Sequence, residues 1–178
     1  MRSCWLSSDE LSFDFGEKSI DRLYESLERQ VVAKSRKSLG SVPEEESDAF
    51  MRYFRKMAMT RSYKPVLIIA TLRSGGQISI NKAADFFRKY YSDRKKNELP
   101  VEKGKCVYSD LDATQKDIEN NLIKNPVAAL CGSGFFTYDQ NSRVFSFAPG
   151  IYDGLTVDEI DAVIQICRER LTDYFRGR

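Results

Sequence analysis

The sequence predicts a mostly α fold with a small antiparallel β-hairpin. The expected α+β core carries a helical extension on its N-terminal side and a long C-terminal helix. Apolar residues recur at helical spacing in successive stretches between Lys18 and Phe175. Two adjacent β-prone runs, Phe135 to Tyr138 and Val144 to Phe147, flank one turn-forming loop. A length of 178 residues with 42% hydrophobic content suits one core domain plus an extension, with no room for a second large core.

The first dozen or so residues are polar apart from Cys4, Trp5 and Leu6, and residues 1–17 are expected to be loosely ordered. Leu11 to Phe15 alternates as a short edge strand or docking segment would. Ile20, Leu23, Tyr24, Leu27 and Val31 place an amphipathic helix over Lys18 to about Ser38, ended by Gly40. Pro43 and Glu44 to Glu46 open a second helix, in which Phe50, Tyr53, Phe54 and Met57 continue the period to about Thr60. These two helices make residues 18–62 the extension. Arg52, Arg55, Lys56, Arg61 and Lys64 form a cationic series, read either as a solvated face or as a set of phosphate contacts.

The core is expected over residues 63–150. Tyr63-Lys64-Pro65 starts a helix whose run Val66, Leu67, Ile68, Ile69, Ala70, Leu72 demands burial on most sides, and Ser74-Gly75-Gly76 stops it. Gln77 to Ile80 alternates as a short strand, and Asn81 is a candidate cap for the following helix. That helix turns Ala83, Ala84, Phe86, Phe87, Tyr90 and Tyr91 inward, with Lys82, Arg88, Lys89 and Arg94 outward. A further helix, announced by Ser109 to Thr114, spans Gln115 to Lys124. Ile118 and Leu122 point one way while Lys116, Asn120 and Lys124 point the other, flanked by Asp117 and Asn121. The hairpin closes the unit with Asp139 to Arg143 as its loop.

Helix, strand, basic helix, polar-faced helix and hairpin follow one another in the order of a winged helix. In that reading the polar face of 115–124 enters a major groove, where Asn can pair with adenine and Lys can reach guanine or a phosphate. Arg143 on the wing loop then contacts backbone or minor groove. The alternatives are the wet side of an amphipathic helix and an ordinary hairpin turn. The candidate DNA-binding set is Lys116, Asn120, Asn121, Lys124 and Arg143, with Arg55 and Lys89 on the phosphates.

Residues 151–178 form the C-terminal helix. Thr156 and Glu159 make a capping box, and Ile160, Val163, Ile164, Cys167, Leu171 and Tyr174 lay an apolar stripe to roughly Phe175. The stripe suits packing on the N-terminal helices or against a second copy in a homodimer.

Several chemistries lack their residues. There is no histidine, hence no imidazole base and no Ser-His or Cys-His pair. Cys4, Cys106, Cys131 and Cys167 match no paired metal spacing and read as free thiols, which fits a reducing cytoplasm. Ser74-Gly75-Gly76 and Gly132-Ser133-Gly134 are too short for a phosphate loop, so no cofactor is expected. No strand pair gathers the acids and lysine of a carboxylate nuclease, and a non-enzymatic chain is expected. No apolar span suggests membrane insertion. The net charge of +2 says nothing about nucleic acid, because Asp9, Glu10, Asp14, Glu17 and Glu44 to Glu46 stand apart from the basic stretches.

Tyr63 to Ile69, Ile78-Ser79-Ile80, Phe86-Phe87-Arg88, Tyr90 to Arg94 and Leu99 to Glu102 resemble a segment found beside nuclease or helicase domains in bacterial restriction and defence proteins. The resemblance covers about the middle half of the chain and implies a DNA-recognition or accessory module of a larger polypeptide or complex. It supplies no catalytic residue. Two functions therefore stand: binding of double-stranded DNA, and protein–protein assembly on a winged-helix fold.

Overall fold

The computed structural model describes residues 44–102 and 106–176, with side chains from residue 49 onward. The expected segment 11–15, the helix 18–38 and the loosely ordered start lie outside the described residues. The described chain is mostly helical with one small sheet. In order it runs α1 (Glu44–Lys56), α2 (Tyr63–Arg73), β1 (Gln77–Ser79), α3 (Ile80–Lys96) and a 3₁₀ turn (Val107–Ser109). Then come α4 (Gln115–Leu122), a π turn (Ile123–Val127), α5 (Ala128–Cys131), β2 (Phe136–Asp139), β3 (Val144–Phe147), α6 (Ile151–Gly154) and α7 (Val157–Arg176).

Helix α2 is apolar all round and lies at the centre. Every residue from Pro65 to Leu72 is buried. One side is covered by α7, whose stripe of Val163, Ile164, Cys167, Leu171 and Phe175 is buried; α3 and the π turn also pack on α2. The stripe thus packs within the chain, chiefly on α2 and in part on α1. Thr156 and Glu159 form the expected box, Glu159 N–H donating to the Thr156 hydroxyl while Glu159 Oε2 accepts from Thr156 N–H at 2.8 Å.

Helix α1 joins the same core through Phe50, Phe54 and Met57, with Phe50 and Tyr53 packed on Phe135. It ends at Lys56, earlier than its periodicity suggests. The Arg170 guanidinium of α7 reaches the carbonyls of Arg55 and Met57 and supplies the positive charge a helix C-terminus favours. Fully burying a side chain such as Phe54 or Leu67 stabilises the fold by roughly 1.5–3 kcal/mol.

The hairpin forms as expected, but β1 adds a third strand, giving antiparallel order β1-β3-β2. Ile78 sits opposite Phe145 on one side, and Tyr138 opposite it on the other. Phe145 and Phe147 face the core; Thr137 and Ser146 pair on the other face, hydroxyl to hydroxyl at 3.0 Å. Gly76 has φ +83°, and a Cβ there would collide with the Tyr152 ring, so the turn into β1 needs glycine.

The cap of α3 is Ser79, not Asn81: the Ser79 hydroxyl accepts from Lys82 N–H at 3.4 Å. Burial decides this. Ile80 is fully buried and begins the helix instead of ending the strand.

Candidate nucleic-acid interface

Helix α4 begins with a capping box that the sequence only outlines. Thr114 Oγ1 accepts from Asp117 N–H at 3.2 Å, and Asp117 Oδ2 accepts from Thr114 N–H at 3.0 Å. Gln115 ties this end to α3 by donating to Asp85 Oδ1 at 3.0 Å. Ile118 and Leu122 are fully buried, as the periodicity requires. The helix then departs from regularity. Pro126 has no N–H and crowds the carbonyl of Leu122, and the chain loosens into a π turn over Ile123–Val127 with Ala128 N–H bonded to Ile123 O.

Lys116 and Asn120 lie about 40° apart on the outer face of α4, one turn from each other. Both are exposed, as is Lys124 in the π turn. None of the three has a side-chain partner among the described residues. The two flanks of this face are held. On one, Glu119 is nearly buried and receives the Arg143 guanidinium of the hairpin loop at 2.9 Å. Arg143 has φ +55°, in the left-handed region, and its side chain remains half exposed. Its pKa is raised, first by the Tyr138 phenol and then by Glu119, so it is a permanent cation.

On the other flank, Asn121 turns away from the outer face. Its Oδ1 accepts from the Tyr108 hydroxyl at 2.7 Å and from Asn125 Nδ2 at 3.1 Å. Burial pushes the Tyr108 phenol up, which keeps it a hydrogen-bond donor. Asn121 is therefore engaged within the fold, whereas Lys116, Asn120 and Lys124 form the open edge.

The remaining candidates are spread out. Lys89 is exposed one turn after Asp85, on the α3 stripe that meets the start of α4. Arg55 is exposed on α1, which packs on α7 and the hairpin aromatics. Two members of the cationic series have other tasks. Arg61 stands 3.5 Å from Glu102, and Lys64 is partly buried, its pKa lowered by that burial and then by Arg170.

Glu102 is a polar centre that sequence reasoning passes over. It is 4% exposed. Its carboxylate accepts the Ser62 N–H at 2.7 Å, the Ser62 hydroxyl, and the Tyr174 hydroxyl at 2.6 Å; Ser62 Oγ in turn meets Tyr91 at 2.6 Å. One acid so joins the start of α2 to α3 and α7. Around it Tyr63, Phe87, Tyr91 and Tyr108 pack with centroids 4.8–6.4 Å apart.

Among the described residues no cluster of side chains could hold a metal ion, and no helix is long and apolar enough to cross a membrane. Cys106, Cys131 and Cys167 are free thiols, and burial pushes Cys167 up to about 12. Comparison with family models, curated proteins and solved structures finds no match to this chain. The functional reading rests on the residues themselves.

Proposed function

We propose that residues 63–150 are a winged-helix-type reading unit and that the chain binds double-stranded DNA without catalysing a reaction. The observation that carries this reading is the open edge of α4: Lys116, Asn120 and Lys124 are exposed and without side-chain partners among the described residues, while both flanks of the helix are fixed. A rigid helix presenting two cations and one amide offers phosphate attraction and a donor–acceptor pair suited to adenine. The antiparallel order β1-β3-β2, with the hairpin last, supports the same assignment. Arg143 extends from the wing with half its surface in solvent, and Lys89 supplies a further phosphate contact. The resemblance to segments beside restriction and defence nucleases fits a module that selects the DNA on which a separate activity works.

Fluorescence anisotropy of a labelled mixed-sequence duplex, titrated at low and near-physiological salt, tests this. Affinity that falls steeply with salt supports several phosphate contacts. Absence of binding at low salt sinks the DNA reading. It would favour assembly on a protein partner, for which Leu111, 85% exposed in the turn before α4, is the first side chain to mutate.

A further inference from the structure

Beside α4, and distinct from its open edge, lies a cleft of about 380 Å³ lined by Arg61, Tyr63, Val107, Asn121 and Asn125. The volume falls at the small end of the range that holds organic ligands. Its polar groups have a defined orientation. The two lone pairs of Asn121 Oδ1 are taken by Tyr108 and Asn125, which fixes the amide and leaves both Nδ2 hydrogens without a partner among the described residues. Asn125 donates to Asn121 and leaves its own Oδ1 open. The π turn allows this arrangement, since Asn125 stands inside it and still folds back on Asn121.

The lining therefore carries an unfilled amide donor on Asn121 and an unfilled amide acceptor on Asn125, beside Arg61, Tyr63 and Val107. Charge selects among ligands that such a lining suits. Arg61 is 3.5 Å from the fully buried carboxylate of Glu102, so its positive charge is offset locally and the cleft has no surplus to attract an anion. We propose that this cleft binds a neutral planar heterocycle with adjacent donor and acceptor atoms, that is, a nucleobase, either free as a nucleoside or unstacked from a strand. Paired amide donor and acceptor groups match a base edge, and guanidinium and aromatic surfaces match its face.

The test follows the side-chain amides of Asn121 and Asn125 and the backbone amide of Val107 by ¹H–¹⁵N NMR. The full chain is titrated separately with adenosine, guanosine, cytidine and uridine, then with a duplex carrying one unpaired base and the same duplex fully paired. Saturable shifts at these three residues with a nucleoside are expected, and Asn125→Ala should weaken them about fivefold, the worth of one hydrogen bond. Shifts confined to the bulged duplex, weakened likewise by Asn125→Ala, identify a strand as the source of the base. No shift at these residues with any probe overturns the proposal, as does a response confined to residues outside the cleft. If Asn125→Ala does not fold, the wild-type shift map decides alone. The nucleoside titration contains no duplex, so its outcome is independent of whether α4 reads DNA.

Discussion

Two polar regions of this chain are built from different residue types and satisfied in opposite ways. Around Glu102, oxygens and an N–H from α2, α3 and α7 meet in a buried knot where the donors of Ser62 and Tyr174 converge on one carboxylate. Along α4 and the π turn, Lys116, Asn120 and Lys124 are exposed and have no side-chain partner among the described residues. A buried polar group must be satisfied by the fold, because leaving it unpaired costs more than the hydrogen bond contributes. An exposed group carries no such obligation and is available to a partner. The comparison locates architecture in the first region and, on the DNA-binding reading proposed above, recognition in the second.

Breaking the knot gives the largest expected effect. Glu102→Ala strips the acceptor from Ser62 N–H and from two hydroxyls at once, and should lower unfolding free energy by about 3 kcal/mol. Denaturant melts measure this directly. A loss below about 1 kcal/mol, in the range of exposed pairs, would place the knot among surface contacts and remove the contrast.

These two regions were unequally legible. The α4 face follows from local spacing, and Ile118 and Leu122 are buried as that spacing requires. The apolar α2 and the Thr156–Glu159 box are local as well. Glu102 bonds to Ser62 forty residues away, and within Leu99-Pro100-Val101-Glu102 nothing distinguishes it from a solvated acid. Its trace is the need of the α2 N-terminus for an acceptor, which Ser62 does not supply through a side-chain cap. Asn121 flanks the outer face in the sequence pattern, and the 100° that separates it from Asn120 brings it to Tyr108. Glu119 and Arg143 meet 24 residues apart, a pairing fixed by how the hairpin packs and not by either segment alone.

On the α4 side the effects expected from the proposed DNA reading are smaller and of a different kind. Asn120→Ala should cost about 1–3 kcal/mol of discrimination at a single base position while leaving melting unchanged. Binding to a duplex library reads this as relaxed preference at that position. Lys116→Ala should instead weaken all sequences alike and reduce the salt slope by about 0.9, one phosphate contact. If both variants lose stability instead, the α4 edge belongs with the architecture. Thr114→Ala, which removes one half of the α4 capping box, should cost about 1 kcal/mol of stability and nothing in base preference.

The smallest effect concerns the hairpin loop, where the hydrogen-bonding logic of Glu102 recurs without burial. Asp139 is exposed, and its carboxylate accepts from the Ser142 hydroxyl and from the N–H groups of Asn141 and Ser142. The Ser142 hydroxyl, then the Asn141 N–H, hold its carboxyl below the usual aspartate range. A depressed folded pKa means the turn is fully stabilised above the unfolded value, about 3.9, and loses that support as pH falls through the lowered one. Amide exchange at Asn141 and Ser142 should therefore quicken in that acid window while the Val144 to Phe147 strand keeps its protection. Joint loss of protection in loop and strand would mean the hairpin turn holds the sheet together. Retention in both would mean these bonds survive protonation. Only the local response fits a turn whose polar groups, unlike those around Glu102, have water as an alternative partner.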